Sequence, residues 1–156
     1  MSGQIENRLS YLALELPTPP SPVASYVPYV KTGNLIFVSG QICFVNEDRS
    51  LEGKIGDNLT LEQGQQGAQN SILNTLAHLK NACHDDLDRV KQCVSLRIFV
   101  ASAPTFTDQA LVANGASLLV EQIFGDSGKH SRAAVGVTVL PLNCCVEIES
   151  VWEITE

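Results

Sequence analysis

Residues 60–101 read TLEQGQQGAQNSILNTLAHLKNACHDDLDRVKQCVSLRIFVA, and two periodicities within them decide the fold. Thr60 and Gln63 have the spacing of a capping box, in which a threonine and a glutamine satisfy the free N–H groups at a helix start. Apolar residues then recur at intervals of four and three, the repeat of one helical face. They are Ala68, Ile72, Leu76, Leu79 and Cys83. We predict a long amphipathic helix from Leu61 to about Cys83.

The end of this stretch is predicted to be a strand. From Val90 to Ala101, apolar and polar side chains alternate in the middle of the run, as they do in a strand with one buried face. Upstream, Thr32-Gly33-Asn34 is a turn signal between two β-branched and aromatic runs. It predicts a hairpin of Tyr26–Lys31 and Leu35–Ser39, with Gly40 to Val45 continuing in an extended conformation.

Downstream, the sequence predicts one more helix and two more strands. Thr107 or Asp108 can cap the helix, and Gly125 suits its end. The strands are Ala133–Leu140 and Cys144–Ile154, and we predict that residues 141–143 join them as a hairpin turn. The order β-β-α-β-α-β-β predicts an α+β two-layer sandwich, with two helices on one face of a sheet of about four to six strands.

Size and charge limit the partners of the chain. At 156 residues and 16.8 kDa it has room for one core, so we expect one domain at residues 23–156 and a lead-in at residues 1–22. The prolines between Pro17 and Pro22 keep the end of that lead-in extended. A net charge of −7 offers no basic surface to a phosphate backbone, which argues against nucleic acid as a partner.

The sequence carries no sign of export or of a membrane span. No apolar run approaches the roughly 18 residues that a bilayer requires, and residues 1–16 lack the basic start and apolar core of a signal peptide. The five cysteines are odd in number and lack a C-x-x-C pair. We therefore expect a cytoplasmic protein with reduced, buried thiols and no metal site. His84-Asp85-Asp86 could ligate a cation, although such a run after a helix end is more typical of a solvated turn.

The last predicted strand has two unlike faces. One face carries Val146, Ile148, Ser150, Trp152 and Ile154. The other carries Cys145, Glu147, Glu149, Val151 and Glu153. This second face mixes carboxylates with apolar side chains and is not covered by the predicted helices, so we expect the sheet to self-associate through it.

Arg132 and Glu147 are the residues from which we expect chemistry. Arg132 starts an otherwise uncharged strand, a place where an arginine is more often a solvated cap. Glu147 follows fifteen residues later, and the predicted hairpin would bring both toward the same end of one ladder. An arginine that clamps a carboxylate, beside a glutamate that moves protons, suits chemistry on a small α-substituted acid.

Several blocks of the chain match a known family. They are Tyr26, Thr32-Gly-Asn-Leu-Ile-Phe-Val-Ser-Gly-Gln-Ile42, Arg97-Ile-Phe-Val100, Asn114, Arg132-Ala-Ala-Val-Gly-Val-Thr-Val-Leu-Pro141 and Val146-Glu-Ile-Glu149. In this order and spacing they resemble the reactive intermediate deaminases of the RidA or YjgF type, also called L-PSP endoribonucleases, from about Pro22 onward. Ala134 stands where the family commonly has cysteine, and residues 101–107 and 125–130 also depart from its pattern. His130 has no counterpart, so the resemblance is to a divergent subgroup.

The resemblance implies a chorismate-mutase-like subunit in a homotrimer, with the sheets around a central barrel and three clefts between neighbouring subunits. In active members the cleft hydrolyses enamines and imines, such as 2-aminoacrylate and 2-aminocrotonate, to 2-keto acids and ammonia. It uses no cofactor and no metal. A small carboxylate-bearing metabolite is then the expected partner.

The resemblance also implies roles for individual residues. Arg132 would bind the substrate carboxylate in a bidentate fork, and Glu147 would position the attacking water and carry its proton. Tyr26 of a neighbouring subunit would close the cleft. The remaining substrate-binding residues would be Gly40, Ile42, Asn114 and Ala134, the last through its backbone carbonyl.

Two other functions stay open at this level. A trimer of the same family could bind a small carboxylate metabolite for regulation, without turnover. An endoribonuclease would agree with the older family label but fits the acidic charge badly.

Overall fold

The computed structural model describes residues 3–156 as one mixed five-stranded sheet with three α-helices. The strands are β1 (Tyr29–Thr32), β2 (Leu35–Ile42), β3 (Val90–Ala101), β4 (Ser131–Val137) and β5 (Val146–Ile154). The helices are α1 (Gln4–Tyr11), α2 (Leu61–Ala82) and α3 (Gln109–Phe124). The sheet order is β1-β2-β5-β3-β4, and every neighbouring pair is antiparallel except β3 and β4. The predicted α+β architecture is therefore confirmed.

The capping box at the start of α2 is present as predicted. Gln63 N donates to Thr60 Oγ1 at 3.2 Å, and Thr60 N donates to Gln63 Oε1 at 2.9 Å. The apolar stripe of α2 is buried against the sheet and against α3. Gly115 of α3 permits this helix contact, since a Cβ there would collide with the Gln65 backbone of α2. Local capping and a close helix pair thus fix the helical layer.

The two faces of β5 differ as the sequence predicts. Trp152 is fully buried on the helix side, where its ring lies 5.5 Å from that of Phe124. Glu147 and Glu149 lie half-buried on the opposite side of the sheet, which no helix covers and which is called the open face below. Cys145, predicted for the open face, is instead fully buried beside Gly67 of α2, because it precedes β5 and turns inward. All five cysteines are free and buried, as expected.

The predicted hairpin between the last two strands is wrong. β4 pairs in parallel with β3, and β5 pairs with β2 and β3, so β3 lies between the two strands that were expected to be neighbours. The physical reason is the βαβ unit formed by β3, α3 and β4, in which a helical crossover returns the chain parallel to the strand it left. The short 3-10 helix Pro141–Asn143 then leads to β5.

The helix α1 was not predicted, because its cap comes from a distant part of the chain. Its first N–H groups, those of Gln4 and Ile5, each donate to the Asp88 carboxylate at 2.8 Å. Leu9 anchors the helix in the core. Between residues 3 and 156, no helix is long and apolar enough to span a membrane.

Candidate active site

Glu147 lines a cavity of about 90 Å³, together with residues 40–42 of β2. The register between β2 and β5 shifts between Val38 and Gln41, which is a β-bulge at Ser39 and Gly40. A Cβ on Gly40 would collide with Glu147 Oε1, so only glycine lets the carboxylate lie against this bulge. The bulge therefore shapes the cavity around Glu147.

The surroundings of the Glu147 carboxylate disfavour its ionised form. Burial raises the pKa of Glu147 above its ordinary value, and the neighbouring Glu149 charge raises this pKa further. Arg97 pairs with Glu149 at 3.5 Å, and no residue between 3 and 156 forms a hydrogen bond or ion pair with the Glu147 carboxylate. A carboxyl of this kind can exchange a proton near neutral pH more readily than an ordinary glutamate.

The other walls of this cavity come from the N-terminal strap and from α2. The strap, defined as residues 20–28, contributes Tyr26, which is 46% exposed. Ile42 of β2 and Leu142 also line the cavity. Four of the residues named from the sequence thus share it, namely Tyr26, Gly40, Ile42 and Glu147. His78 of α2 lines it as well. No sequence pattern indicated this residue, which lies off the apolar stripe of the helix.

Arg132 belongs to a second cluster, at the sheet edge beside α3. Its Nη1 donates to Asn114 Oδ1 at 2.9 Å and to Ser117 Oγ at 3.1 Å, and its Nη2 donates to the Ala110 carbonyl at 3.3 Å. The predicted support of Arg132 by Asn114 is thus present in the geometry. Ala134 lies two residues further along the same face of β4.

A hydrogen-bond chain behind Arg132 includes two residues with no role assigned from the sequence. Ser117 Oγ lies 2.9 Å from His130 Nε2, and His130 Nδ1 lies 2.6 Å from the Gly128 carbonyl. A carbonyl only accepts, so Nδ1 donates to it, and Nε2 of the neutral ring accepts from the Ser117 hydroxyl. Ser117 in turn accepts from Arg132. This chain holds the guanidinium against α3.

The expected meeting of Arg132 and Glu147 on one ladder does not occur within the chain. Arg132 is in register with Leu96, which faces the helices, whereas Glu147 is in register with Phe99 on the open face. The two side chains therefore leave opposite faces of the sheet, with β3 between their strands. The predicted site is divided into a Glu147 half-site, with Tyr26, Gly40 and Ile42, and an Arg132 half-site, with Asn114 and Ala134.

Neither half-site has the composition of a metal centre. Between residues 3 and 156, no group of three His, Cys, Asp or Glu side chains is placed to hold an ion. In the run His84-Asp85-Asp86, the Asp86 carboxylate accepts from Asp88 N at 3.0 Å at the start of a short 3-10 helix. The chemistry available to these half-sites is acid–base catalysis and anion binding.

The chain is similar to proteins of one family. Residues 6–153 match the family model described as "YjgF/chorismate_mutase-like, putative endoribonuclease". The Trypanosoma cruzi protein TCP17 is 40% identical over 98% of this chain and 96% of its own length. A 2-iminobutanoate/2-iminopropanoate deaminase of Dermatophagoides farinae is 30% identical over 88% of this chain and 92% of its own length. The crystal structure of Atu1372 from Agrobacterium tumefaciens, of unknown function, has a TM-score of 0.91 at 39% identity, covering 97% of this chain and 93% of that one.

Proposed function

This chain belongs to the YjgF/chorismate-mutase-like family, and we propose that it is a cytoplasmic homotrimeric hydrolase that converts small 2-imino and 2-enamino acids to 2-keto acids and ammonia. The name of the mite relative supports this reaction class. The proposal rests on one observation above all. Each chain carries two complementary half-sites that it cannot join by itself, one with an unpaired cation and one with an unpaired carboxylate.

The surfaces around the half-sites support their union across a subunit interface. Leu111 and Leu118 of α3 are exposed next to Asn114, and Val23 and Val27 of the strap are exposed next to Tyr26. On the open face, Phe37 and Val135 are also exposed. Apolar patches of this kind are typical of protein interfaces. Association through them would place the Arg132 half-site of one subunit against the Glu147 half-site of the next.

Arg132 would bind the substrate carboxylate. A guanidinium has five N–H groups, and three of them are used by Asn114, Ser117 and Ala110. The Nε–H and one Nη2–H remain, and no carboxylate between residues 3 and 156 forms an ion pair with them. These two donors suit the two oxygens of a small carboxylate.

Glu147 would carry the proton in both halves of the hydrolysis. As water attacks C2 of the neutral imine, Glu147 takes one water proton, the C=N π pair moves to nitrogen, and Glu147 delivers that proton to nitrogen to give a carbinolamine. Glu147 then takes the carbinolamine hydroxyl proton as the C=O bond forms, and passes it to the amine as the C–N bond breaks. Ammonia and a 2-keto acid leave. An enamine enters the same path after protonation at its β-carbon.

The test is an assay with 2-aminoacrylate or 2-aminocrotonate generated in situ from serine or threonine, following keto-acid formation above the spontaneous rate. Arg132→Ala should lower kcat/KM by about a hundredfold because the carboxylate loses its charged partner. Arg8→Ala, which removes an exposed arginine of α1, is the matched control. Activity that survives Arg132→Ala unchanged would refute the carboxylate clamp.

The alternative of a regulatory trimer predicts a different result in the same experiment. A keto acid would bind in an Arg132-dependent way, and none of the imines would be turned over. Cleavage of RNA by the wild-type protein that is lost in Arg132→Ala would instead favour the endoribonuclease label, which the net charge of −7 argues against.

A further inference from the structure

His78 is a buried titratable residue that the proposed hydrolysis does not use. It lies on the fifth turn of α2 and is 3% exposed. Its Nε2 is buried and forms no hydrogen bond within residues 3–156, although the Pro20 carbonyl lies near the ring. Buried polar atoms almost always have a partner, because a buried donor or acceptor without one loses its hydration and gains nothing in return. The position of His78 therefore needs a reason outside packing.

The reason lies in the shape of the cavity. Its walls include both Glu147, on the open face of the sheet, and His78, on the helix side. β1 pairs with β2 only up to Val38, and Ser39 then donates to the Val27 and Pro28 carbonyls of the strap, so the edge of β2 beyond Ser39 has no partner strand. The cavity passes around this free edge under the strap and joins the two faces. A molecule held at Glu147 can thus extend toward His78 without leaving the protein.

The positions of the two half-sites determine how a bound substrate is oriented. C2 of an imino acid carries the nitrogen, the carboxylate and the side chain. When the carboxylate is bound by Arg132 of the neighbouring subunit and C2 lies at Glu147, the side chain is left to enter the cavity. A volume of about 90 Å³ holds a short side chain of a few heavy atoms.

The hydroxyl-bearing Ser21 and Tyr26 that line the cavity are exposed, so His78 is distinguished from them by its burial. Pro20, Pro22, Pro28, Ile42 and Leu142 supply apolar surface. Gln41 is buried there too, but its amide donates to the Ser39 carbonyl at 3.0 Å. Burial lowers the pKa of His78, an effect that the Pro20 carbonyl partly offsets, so the ring is neutral at physiological pH. A neutral imidazole nitrogen offers one directed hydrogen bond to the cavity.

We propose that His78 Nε2 is a specificity-determining contact for a hydroxyl group on the substrate side chain, so that the preferred substrates are short hydroxylated 2-imino acids. The inference rests on the proposed function for the placement of C2. A hydroxyl both donates and accepts, so it satisfies Nε2 in either tautomer. An apolar side chain of equal size leaves the nitrogen unpartnered, and a site of that kind discriminates against it.

The experiment compares two isosteric substrates that differ in one group. An amino-acid oxidase converts homoserine to 4-hydroxy-2-iminobutanoate and norvaline to 2-iminopentanoate, whose side chains have the same number of heavy atoms. We expect the wild-type protein to favour the hydroxylated imine by about tenfold or more in kcat/KM. His78→Leu should reduce this ratio to about one, and His78→Gln, which keeps a hydrogen-bonding group, should restore part of it.

The result that overturns the inference is a ratio that is the same in wild type and His78→Leu. Binding of the corresponding products, 4-hydroxy-2-oxobutanoate and 2-oxopentanoate, is measured by calorimetry. This measurement distinguishes failure of the His78 inference from failure of the proposed function. Preferential binding of the hydroxylated product that is lost in His78→Leu, without any turnover, supports the subsite and refutes the hydrolase. Turnover of both imines with no preference refutes the subsite alone, and absence of both binding and turnover refutes both.

Discussion

Arg132 and Glu147 project from opposite faces of the same sheet, Arg132 in register with Leu96 and Glu147 in register with Phe99. One chain cannot bring the two groups to the same small molecule. Their separation makes assembly a condition of activity if both act on one substrate. This separation can be tested directly, because Arg132 and Glu147 can be removed from different subunits of one trimer.

Subunits that lack different halves of the site should rescue one another. Arg132→Ala and Glu147→Gln should each be inactive as homotrimers, Glu147→Gln by at least about a hundredfold because proton transfer is lost. After the two variants are unfolded together and refolded in equal amounts, about a quarter of the interfaces should combine an intact Arg132 with an intact Glu147. Activity should return in that proportion. Mixtures that stay as inactive as their parents would show that the two residues do not share a site.

Gly40→Ala should impair catalysis more than stability. The added Cβ would collide with Glu147 Oε1, which is the movable end of a side chain, so we expect the carboxylate to shift and kcat/KM to fall by about tenfold or more. Gly33→Ala is the matched control. Gly33 has φ +56 with open space around it, so alanine there should cost about 1 kcal/mol of stability through backbone strain and leave activity intact. Thermal unfolding and steady-state kinetics of both variants check the contrast.

Ser117→Ala should loosen Arg132 without removing it. The variant loses the hydroxyl that accepts from Arg132 and faces His130, while the bond to Asn114 at 2.9 Å remains. We expect KM to rise several-fold with little change in kcat, since Arg132 binds the carboxylate and does not transfer protons. Ser117→Thr, which keeps the hydroxyl, should stay close to wild type. Equal losses in kcat for alanine and threonine would point to a packing defect.

The raised pKa of Glu147 sets the pH dependence of activity and stability. Because burial and Glu149 disfavour the charged form, the acid limb of kcat should lie above the ordinary glutamate value of 4.5. The same shift favours the protonated folded state, so ionisation of Glu147 destabilises the fold at neutral pH and ceases to do so below the unfolded pKa.

Glu147→Gln should accordingly unfold at a higher temperature than wild type at pH 7.5, and the difference should disappear by about pH 4. Glu121→Gln, an exposed position on α3, should show no such pH-dependent gain. Thermal unfolding of the three proteins at both pH values measures the effect. A gain at pH 4 that equals the one at pH 7.5 would contradict the role of burial.

Much of the secondary structure was predictable because its causes are local. The capping box of Thr60 and Gln63 starts α2 at the predicted residue, β3 has its predicted bounds, and Gly125, at φ +60, follows the end of α3. Period-two alternation in β5 also separated the helix side from the open face. Each of these signals acts between residues a few positions apart.

Other features depend on residues that are distant in the sequence. β1 begins at Tyr29 and not at Tyr26, because residues 20–28 form a strap over the cavity that bonds to β2 at Ser39, which donates to the Val27 and Pro28 carbonyls. The cap of α1 is Asp88, more than eighty residues away. These contacts join residues that are far apart in the sequence, so they could not be predicted from the pattern of neighbouring residues.

The sequence by itself determined the two long helices and most of the strands of this protein, its family resemblance, and the residue types that bear its chemistry. Capping, periodicity and motif spacing are properties of neighbouring residues. Only the tertiary structure decided that β3 lies between β4 and β5. That one pairing puts Arg132 and Glu147 on opposite faces of the sheet and leaves the β2 edge free for a cavity that reaches His78. Strand pairing joins distant segments through backbone hydrogen bonds that carry little sequence signature, so the division of the site emerged only from the folded chain.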